Sequence, residues 1–367
     1  MKLIRILHVL GGLNRGGAET MVMNFYRAID RTKVQFDFVI HTDEPQNYSD
    51  EIKKMGGKIY IFPRYNGLNT FELRKKWNDF LKEHPGYKVL HSHVRSYASI
   101  YLPIAKKHGV KTIIHAHSTS NGSGIKSFAK KILQMPLRYQ ADYLFSCSQI
   151  SGEWLFGKKS LKKSNYLLIP NAIDIEKYAL NENIRNEYRK KLNIETEKVF
   201  IHIGRLHEAK NHIFLINVFK KLSEIEPNVR LLIVGDGELR DIIENEITKH
   251  SLSGKIGMLG MREDIPELLN VADCFLFPSK WEGLPVTVVE AQAAQLPCFV
   301  SDTITDEVGI SDLVTYLPID KGEKIWVDTI LNGNIQKHDV TVEIKNANFD
   351  VRNVSNWLVD FYNSIIK

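Results

Sequence analysis

The chain has 367 residues and a formal net charge of +6, and its 43% hydrophobic and 25% charged residues are typical of a folded protein with two domains. Three cysteines without a C-x-x-C pair are too few for a disulfide framework, so we expect a reducing, cytoplasmic environment. We find neither a signal-peptide pattern nor a run of roughly 18 to 20 apolar residues, and with the composition this excludes secreted disulfide-rich, integral membrane, fibrous and disordered classes.

The first half of the chain alternates short apolar runs with helical patterns. Residues 3–10 predict a buried strand, residues 11–17 a glycine-rich turn, and the following MVMNFYRAI a helix. Another helix is predicted around Phe71–Glu83, and further strands at VQFDFVI, KIYIF, KVLHSH, KTIIHAH and YLFSCS. Strands that alternate with helices indicate a parallel sheet with helices on both faces.

The same pattern restarts after Pro170. HIFLINVFKKLSEI predicts an amphipathic helix, and buried strands are predicted at KVFIHIGRL, VRLLIVGDG, DCFLFPS and CFVSD. We therefore predict an α/β protein of two doubly wound domains, residues 1–172 and 173–350, that bind ligands at the carboxyl ends of their strands. A terminal helix predicted over 351–367 has an apolar face. This face can pack on the second domain or back onto the first, and we predict that it packs on the first.

Two loops suit anionic groups. The turn Gly11–Gly17 follows a strand and opens a helix, which presents backbone N–H groups to an anion. It matches neither the G-x-G-x-x-G fingerprint nor a Walker A loop, so a Rossmann dehydrogenase is disfavoured. In the second half, Arg205 ends a strand and Lys210 follows five residues later, and two fixed cations there suit a diphosphate. A surface salt bridge is the alternative interpretation.

A pair of glutamates marks the end of another predicted strand. Glu282 directly precedes a helix predicted to start near Pro285, and Glu290 lies about two helical turns further on. An isolated pair at this spacing is usually structural, but its position after a buried strand and within WEGLP favours a binding site. Carboxylates accept hydrogen bonds from sugar hydroxyls, so the two glutamates suit different parts of one elongated ligand.

These motifs together carry a family resemblance. They are GGLNRGGAE at the start, PNAID at 170–174, GRLHEAKN at 204–211, VGDGE at 234–238 and EGLPVTVVE at 282–290. Over nearly its whole length the chain resembles the retaining glycosyltransferases of family 4, and within them the bacterial capsule and exopolysaccharide enzymes. That family has the GT-B fold of two facing Rossmann-like domains. The resemblance implies that the first domain binds the acceptor and the second the nucleotide-sugar.

The resemblance also implies roles for individual residues. Arg205 and Lys210 would bind the diphosphate, Glu290 the ribose hydroxyls, and Glu282 the sugar hydroxyls beside backbone N–H groups at 283–286. The turn at Gly235 and the segment at 260–262 would flank the base. The implied catalytic residues are His117, Glu282, Arg205 and Lys210. The implied donor-binding residues are Gly16, Gly17, Arg205, Lys210, Gly235, Met261, Arg262, Glu282, Gly283, Leu284, Pro285, Val286 and Glu290.

Two H-x-H pairs, His91 with His93 and His115 with His117, suggest zinc at first sight. Strand alternation places the members of each pair on one face of the sheet. No cysteine or carboxylate cluster accompanies them, so we predict neither a metal nor any other cofactor. The resemblance implies that His117 points at the donor sugar. His115 is the alternative candidate, and we expect it to lie in the core or behind His117.

The charge is unevenly distributed. Residues 1–170 hold 27 basic and 12 acidic residues, a balance of +15, whereas the remainder balances at −9. An anionic partner of the first half would be nucleic acid, a membrane or a phosphorylated substrate. The segment SFAKKILQMPLRYQ, in which Phe128, Ile132 and Leu133 can share an apolar face, and the basic KKSLKK at 158–163 suit an anionic membrane leaflet. Solvated surface helices are the alternative, and we expect Pro136 to kink or end the first of them.

We therefore expect an enzyme that moves a sugar, with retention and without metal, from a nucleotide diphosphate donor to a glycan or polyprenyl-diphosphate-linked acceptor. UDP is the expected nucleotide, cell-surface polysaccharide synthesis the expected process, and the inner membrane face the expected peripheral location. Nucleic-acid binding is disfavoured because no basic motif interleaved with aromatic residues is present. A nucleotide-sugar epimerase of the same architecture and a non-catalytic sugar-binding subunit remain as alternatives.

Overall fold

A computed structural model of the chain describes residues 3–14, 16–118, 125–333 and 336–366, without the side chains of residues 125–129. The chain divides into two compact units, each built around its own sheet. The first unit comprises Met1–Ala172 together with Asp350–Lys367, and the second comprises Ile173–Phe349.

The described part of the chain contains strands and helices that mostly alternate. The strands are β1 Ile4–Val9, β2 Val34–Ile40, β3 Ile59–Ile61, β4 Val89–Ser92, β5 Lys111–Ala116, β6 Tyr143–Ser146, β7 Tyr166–Leu168, β8 Lys198–Ile203, β9 Val229–Val234, β10 Ile256–Gly260, β11 Cys274–Phe277, β12 Cys298–Ser301 and β13 Val314–Leu317. The helices are α1 Gly17–Ala28, α2 Ser49–Lys54, α3 Thr70–Glu83, α4 Ala98–Lys107, α5 Ile125–Gln134, α6 Leu137–Gln140, α7 Gln149–Phe156, α8 Ile175–Tyr178, α9 Glu182–Lys191, α10 His212–Ile225, α11 Arg240–Lys249, α12 Ile265–Val271, α13 Val286–Ala293, α14 Glu323–Asn332, α15 Thr341–Asn346 and α16 Val351–Ile365.

The first unit contains a parallel seven-stranded sheet in the order β3-β2-β1-β4-β5-β6-β7. Every residue of β2 is buried, as expected for a parallel strand that helices cover on both faces. The strand order reverses between β1 and β4, which pair in parallel. In open α/β sheets the loops at the carboxyl ends of such a pair form a ligand-binding crevice.

The second unit repeats this design with six parallel strands in the order β10-β9-β8-β11-β12-β13. Here the order reverses between β8 and β11, which pair through Phe200 and Ile201. Each unit is therefore a doubly wound Rossmann-like fold, as the alternating sequence pattern predicts. The strands β7, β10 and β13, which flank the predicted ones, were not anticipated.

The terminal helix α16 belongs to the first unit. Asp350 caps it by accepting a hydrogen bond from the Arg352 backbone N–H at 2.9 Å. Its apolar face, which includes Val354, Leu358 and Tyr362, is buried in the same hydrophobic cluster as residues of α1 and β2. The predicted return of this helix to the first domain is therefore confirmed, and packing on the second is excluded.

Two further expectations concern local structure. Helix α5 ends at Gln134 and α6 begins at Leu137, so Pro136 interrupts the helical segment as predicted. Among the described residues, the three cysteines are buried and form no disulfide. No helix in that part of the chain is both long enough and apolar enough to cross a bilayer.

Candidate functional site

In the second unit, the loops that follow β8 and β11 meet at the carboxyl edge of the sheet. A backbone hydrogen bond from the Lys280 N–H to the Ala209 carbonyl, at 2.7 Å, joins the two loops. Lys210 Nζ then lies 2.7 Å from Glu282 Oε1, although 72 residues separate the two side chains in sequence. The structure thus brings together two of the predicted site residues at the point where the strand order reverses.

The Lys210–Glu282 pair is sheltered from solvent. About one sixth of each side chain is exposed, 17% for Lys210 and 16% for Glu282. The ammonium group also lies 4.5 Å from the ring centroid of Phe277, the last residue of β11. A cation held in this way between a carboxylate and an aromatic face is fixed in position at the sheet edge.

Arg205 occupies a more open position. Its guanidinium forms an ion pair with Glu238 at 3.1 Å, and 69% of the side chain is exposed. The imidazole of His207 lies 3.5 Å from the same glutamate. Within the described ranges Arg205 therefore contacts Glu238 rather than Lys210 or Glu282, and an anionic ligand would compete with Glu238 for it.

Glu290 is held by a residue that the sequence motifs did not identify. The Tyr178 hydroxyl donates a hydrogen bond of 2.8 Å to Glu290 Oε1, across 112 residues of sequence. Burial raises the pKa of the Glu290 carboxyl, and the hydrogen bond from Tyr178 partly opposes that effect. Tyr178 ends α8, shortly after the PNAID motif, and it fixes the direction of the carboxylate.

The helix after β11 starts close to where the sequence places it. Pro285 is the capping residue and Val286 the first helical residue of α13, with Gly283 and Leu284 in the turn before it. The first N–H groups of a helix have no partner within the helix, so they are available to an anion or a hydroxyl. Glu282 and these N–H groups belong to one continuous loop.

The turn after β9 requires a glycine. Gly235 has φ +136°, and a β-carbon at this position would collide with the Gly204 carbonyl oxygen. Its N–H donates to the Gly260 carbonyl at 2.9 Å, which ties the turn to the end of β10. Beyond that point Met261 is 70% exposed and Arg262 forms an ion pair with Asp264. The predicted base-flanking residues therefore share one edge of the sheet, and their role remains a prediction.

The first unit carries a cavity of about 490 Å³ at the carboxyl ends of β1 and β4. Of the two predicted glycines, Gly16 lines it and Gly17 begins α1. The residues that line it are Gly11, Gly12, Asn14, Gly16, Glu19, His41, Thr42, Glu44, Gln46, Arg64, Val94, Ser96 and Tyr97. It lies at the reversal point of the first sheet, where a doubly wound fold binds its ligand.

The cavity combines acidic, basic and aromatic groups. His41 and Tyr97 meet edge to face with ring centroids 5.0 Å apart. Neither His41 Nε2 nor the Tyr97 hydroxyl has a hydrogen-bond partner within the described residues. Burial raises the pKa of Glu19 and lowers that of His41 to about 4, so His41 is neutral near pH 7. Sequence reasoning missed these side chains, although Glu19 stands within the GGAE motif.

The predicted histidine His117 lies just beyond β5 and is partly exposed. Its Nε2 is 2.8 Å from His93 Nδ1. His115 is fully buried with its Nδ1 3.2 Å from His91 Nε2, which agrees with the expected core position. Both H-x-H pairs therefore belong to one histidine cluster, which also contains His8 of β1. His8 could not be recognised in advance, because a single histidine in an apolar strand looks like a core residue.

Two overlapping trios in this cluster, His8 with His91 and His93, and His93 with His115 and His117, bring potential metal-ligating atoms within 4.8 Å of one another. Several of these nitrogens already contact one another at hydrogen-bond distance. Neither trio includes a carboxylate or a thiolate. The absence of a metal cofactor stays a prediction.

Comparisons with known proteins identify relatives of both units. Residues 15–177 match the family model described as Glycosyltransferase Family 4, and residues 184–315 match Glycosyl transferases group 1. The chain is 34% identical to the putative glycosyltransferase EpsF of Bacillus subtilis over 98% of this chain and 96% of that protein. It is 30% identical to the Escherichia coli UDP-Gal:alpha-D-GlcNAc-diphosphoundecaprenol alpha-1,3-galactosyltransferase over 59% of this chain and 58% of that one.

Solved structures agree on the fold. Anabaena HepE in complex with UDP and glucose superimposes with a TM-score of 0.76 at 17% identity, covering 98% of this chain and all of HepE. The lipopolysaccharide glycosyltransferase WaaG superimposes with a TM-score of 0.71 at 14% identity, covering 97% of this chain and 99% of WaaG. At these identities the likeness establishes the fold, which is that of the GT-B glycosyltransferases.

Proposed function

Since the chain belongs to glycosyltransferase family 4, we propose that it transfers a sugar from a UDP-sugar to a hydroxyl group of a lipid-linked saccharide, with retention at the anomeric carbon and without a metal ion. The observation that carries the proposal is the sheltered Lys210–Glu282 pair at the reversal point of the second sheet. Family membership favours transfer over the epimerase alternative.

In the proposed donor complex the diphosphate binds Lys210, and Glu282 turns to the hydroxyls of the sugar. Such a ligand replaces one partner of an existing ion pair with another anion, so the ammonium group is never left unpaired. Glu290, already oriented by Tyr178 at 2.8 Å, would accept hydrogen bonds from the ribose. UDP in the HepE complexes supports the choice of nucleotide.

The proposed reaction breaks the bond between the anomeric carbon and the diphosphate oxygen and forms one to the acceptor oxygen. The acceptor proton passes to the departing phosphate, so neither Glu282 nor Glu290 needs to become a nucleophile. Negative charge grows on the diphosphate in an oxocarbenium-like transition state. Lys210, Arg205 and the N–H groups at the start of α13 would stabilise that charge, which is usually the largest catalytic contribution.

The cavity of the first unit is the proposed acceptor site. Glu19 and Glu44 suit sugar hydroxyls, the Tyr97 ring suits an apolar sugar face, and exposed Arg64 suits an acceptor phosphate. The lipid-linked saccharides in the names of two relatives, from Escherichia coli and Campylobacter jejuni, support an acceptor of this class.

A transfer assay tests the proposal. The protein is incubated with UDP-sugars and short-chain polyprenyl-diphosphate saccharides, with and without EDTA, and the anomeric configuration of the product is read by NMR. An α-linked product from an α-linked donor at an unchanged rate in EDTA is expected. An inverted product or a rate abolished by EDTA would contradict the mechanism, and interconversion of the UDP-sugar itself would indicate an epimerase.

We further propose that the first unit docks on an anionic membrane leaflet through a basic and apolar surface formed by α5, α6 and residues 158–163. Ile132, Met135 and Tyr139 are exposed, at 53%, 55% and 73%. Lys163 lies 5.4 Å from the Tyr139 ring centroid, so the two basic segments of the sequence form one patch. Phe128, part of the predicted apolar face, lies outside the described side chains.

Vesicle flotation tests this docking. Each lysine near an anionic surface contributes about 1 kcal/mol, so changing Lys130 and Lys131 to Gln should weaken binding roughly 30-fold. The matched control changes Lys53 and Lys54, two exposed lysines of α2, to Gln. Equal binding to phosphatidylglycerol and phosphatidylcholine vesicles, or equal losses in both double variants, would contradict membrane docking by this surface.

A further inference from the structure

A second cavity of the first unit lies at the amino edge of its sheet, opposite the loops of the candidate sites, and is called the amino-edge cavity below. Its volume is about 990 Å³, against about 490 Å³ for the cavity at the carboxyl edge. It is lined by the starts of β1 and β3, the loop between α3 and β4, and the end of α16. The six residues of β1 rise about 3.3 Å each, so roughly 20 Å of strand separates the two cavities.

Beneath the amino-edge cavity lies a buried carboxylate whose hydrogen-bonding positions are filled. Asp37, in the middle of β2, is fully buried. It accepts two hydrogen bonds from the Arg5 guanidinium, both at 2.5 Å. The Lys58 backbone N–H and the Tyr87 hydroxyl each donate one more at 2.7 Å. Four hydrogen bonds satisfy both carboxylate oxygens, so the network holds the surrounding groups in place without a ligand.

The same network leaves the Tyr60 hydroxyl oxygen able to accept a hydrogen bond. The single hydroxyl proton of Tyr87 goes to Asp37, since a carboxylate can only accept. The Tyr60 hydroxyl lies 3.2 Å from that of Tyr87, so it must donate its own proton to Tyr87. The lone pairs of the Tyr60 oxygen then remain for an external donor such as a sugar hydroxyl.

Three rings form an aromatic wall in the cavity. The Tyr60 ring centroid lies 5.3 Å from that of His84 and 6.5 Å from that of Tyr87. Tyr60 and His84 are half-buried, so part of each ring is open to a ligand. The face of a pyranose that carries C–H groups is apolar and packs well on the face of an aromatic ring. The wall therefore suits a saccharide.

Two exposed lysines stand at opposite sides of the cavity. Lys58 directly precedes β3, and Lys88 directly precedes β4. Strands β2 and β1 lie between β3 and β4, so three strand spacings of about 4.8 Å separate the two backbones by about 14 Å. Glu83 is the one carboxylate among the described residues that line the cavity. An elongated ligand with several carboxylates matches this arrangement better than one small anion.

We propose that the amino-edge cavity binds an acidic oligosaccharide, with sugar rings against Tyr60 and His84 and carboxylates at Lys58 and Lys88. The choice of a saccharide over an acidic peptide rests on the proposed function, because a glycosyltransferase handles saccharide chains. A glycan held at the amino edge stays bound to the protein without occupying the proposed acceptor cavity.

Calorimetry on the full chain with four related ligands tests the ligand class. The probe is tetragalacturonate, and the comparison ligands are monomeric galacturonate, the neutral maltotetraose, and tetraglutamate. We expect tetragalacturonate to bind at one site and about tenfold or more tightly than each comparison ligand. No binding of tetragalacturonate, or equal binding of any comparison ligand, would overturn the proposal.

A pair of double variants tests the location of the site. Changing Lys58 and Lys88 to Gln removes both cations, and we expect it to weaken tetragalacturonate binding about tenfold or more. The matched control changes Lys53 and Lys54, two exposed lysines of α2, to Gln and should bind as the unaltered protein does. Equal affinities in the two double variants would overturn the proposed site.

The aromatic wall is tested in the same way. Tyr60→Leu removes the ring and should weaken tetragalacturonate binding about tenfold, whereas Tyr60→Phe keeps the ring and should lose less. Hydrogen exchange of the unaltered protein should show protection by the ligand in residues 58–61 and 83–88. An unchanged affinity in Tyr60→Leu, or protection confined to other segments, would overturn the proposal.

Binding and transfer are measured separately, so the two proposals fail separately. If the protein binds tetragalacturonate at the amino edge but transfers no sugar, the proposed function fails and the site stands. If it transfers sugar but does not bind tetragalacturonate, the site fails and the proposed function stands.

Discussion

The buried histidines make the first unit sensitive to acid. Burial lowers the pKa of His8 and of His117 from about 6.5 to about 3, and it lowers the pKa values of His91, His93 and His115 well below their usual range. The folded pKa values lie below the unfolded ones, so the unfolded state binds more protons between about pH 6.5 and pH 3. Stability must therefore fall as the pH falls through that window.

The size of the effect follows from the same values. At about pH 5 an unfolded imidazole is almost fully protonated while the folded one is not, which removes about 2 kcal/mol of stability per ring. His8 and His117 together account for about 4 kcal/mol, and His91, His93 and His115 act in the same direction. Because a domain is usually stable by about 5–15 kcal/mol, this loss is a large part of the first unit's stability, and the unit should be much less stable at about pH 5 than at about pH 7.

Urea unfolding at a series of pH values, followed by pulsed hydrogen exchange and mass spectrometry, measures the free energy of unfolding of each unit separately. Peptides from β1, β4 and β5 should lose about 3 kcal/mol of stability or more per pH unit below about pH 6. His8→Phe removes one titrating ring and should reduce that slope by about 1.4 kcal/mol per pH unit. A first unit whose stability is unchanged between about pH 7 and pH 5 would refute the neutral, buried cluster.

Three further predictions concern the second unit. Lys210→Ala should raise the activation free energy by about 3 kcal/mol, which lowers kcat/KM roughly 150-fold. Lys221→Ala, which removes a surface ion pair with Glu323, should have little effect in the same steady-state assay. Glu290→Gln keeps an acceptor for the Tyr178 hydroxyl but removes a carboxylate whose pKa is raised by burial. The variant should therefore have a higher Tm than the unaltered protein near pH 7.5, a gain that vanishes near pH 4, and it should bind UDP more weakly by calorimetry. A lower Tm near pH 7.5 would contradict the burial of this carboxylate. Gly235→Ala should destabilise the second unit by about 2 kcal/mol or more in urea, while Gly254→Ala, which meets open space, should not, and equal losses would show that Gly235 is not constrained.

The fold was largely predictable because its pattern is local. Alternating apolar runs and helical periodicity identify ten of the thirteen described strands and the four longest helices, α1, α3, α10 and α16, and in a doubly wound fold that alternation also determines the sheet. The strands β7, β10 and β13 were missed because each is short and incompletely buried, so its sequence lacks a clear apolar run. The pattern of α16 by itself left two destinations open, since an amphipathic helix shows which face is buried but not what covers it, and the structure confirms the predicted one.

The candidate site was predictable only where residues lie in contiguous motifs. Lys210, Glu282 and Glu290 stand within motifs, whereas Tyr178 meets Glu290 across 112 residues and His8 meets His93 across 85. These partners are close only in three dimensions, and a single sequence does not show which distant residues come into contact. The cavity of the first unit is similar, because Arg64 and Tyr97 come from loops without a motif.

Donor binding tests the central claim most directly. The unaltered protein, Lys210→Ala and Lys221→Ala are heated with UDP-, GDP- and ADP-sugars, with and without EDTA, at ligand concentrations near 100 times the expected Kd. A bound ligand at that concentration adds about 2.7 kcal/mol of stability. We predict a shift with UDP-sugars that is independent of EDTA, kept in Lys221→Ala and lost in Lys210→Ala. A shift of the same size in Lys210→Ala, or none with any nucleotide-sugar, would contradict a donor site at the Lys210–Glu282 pair.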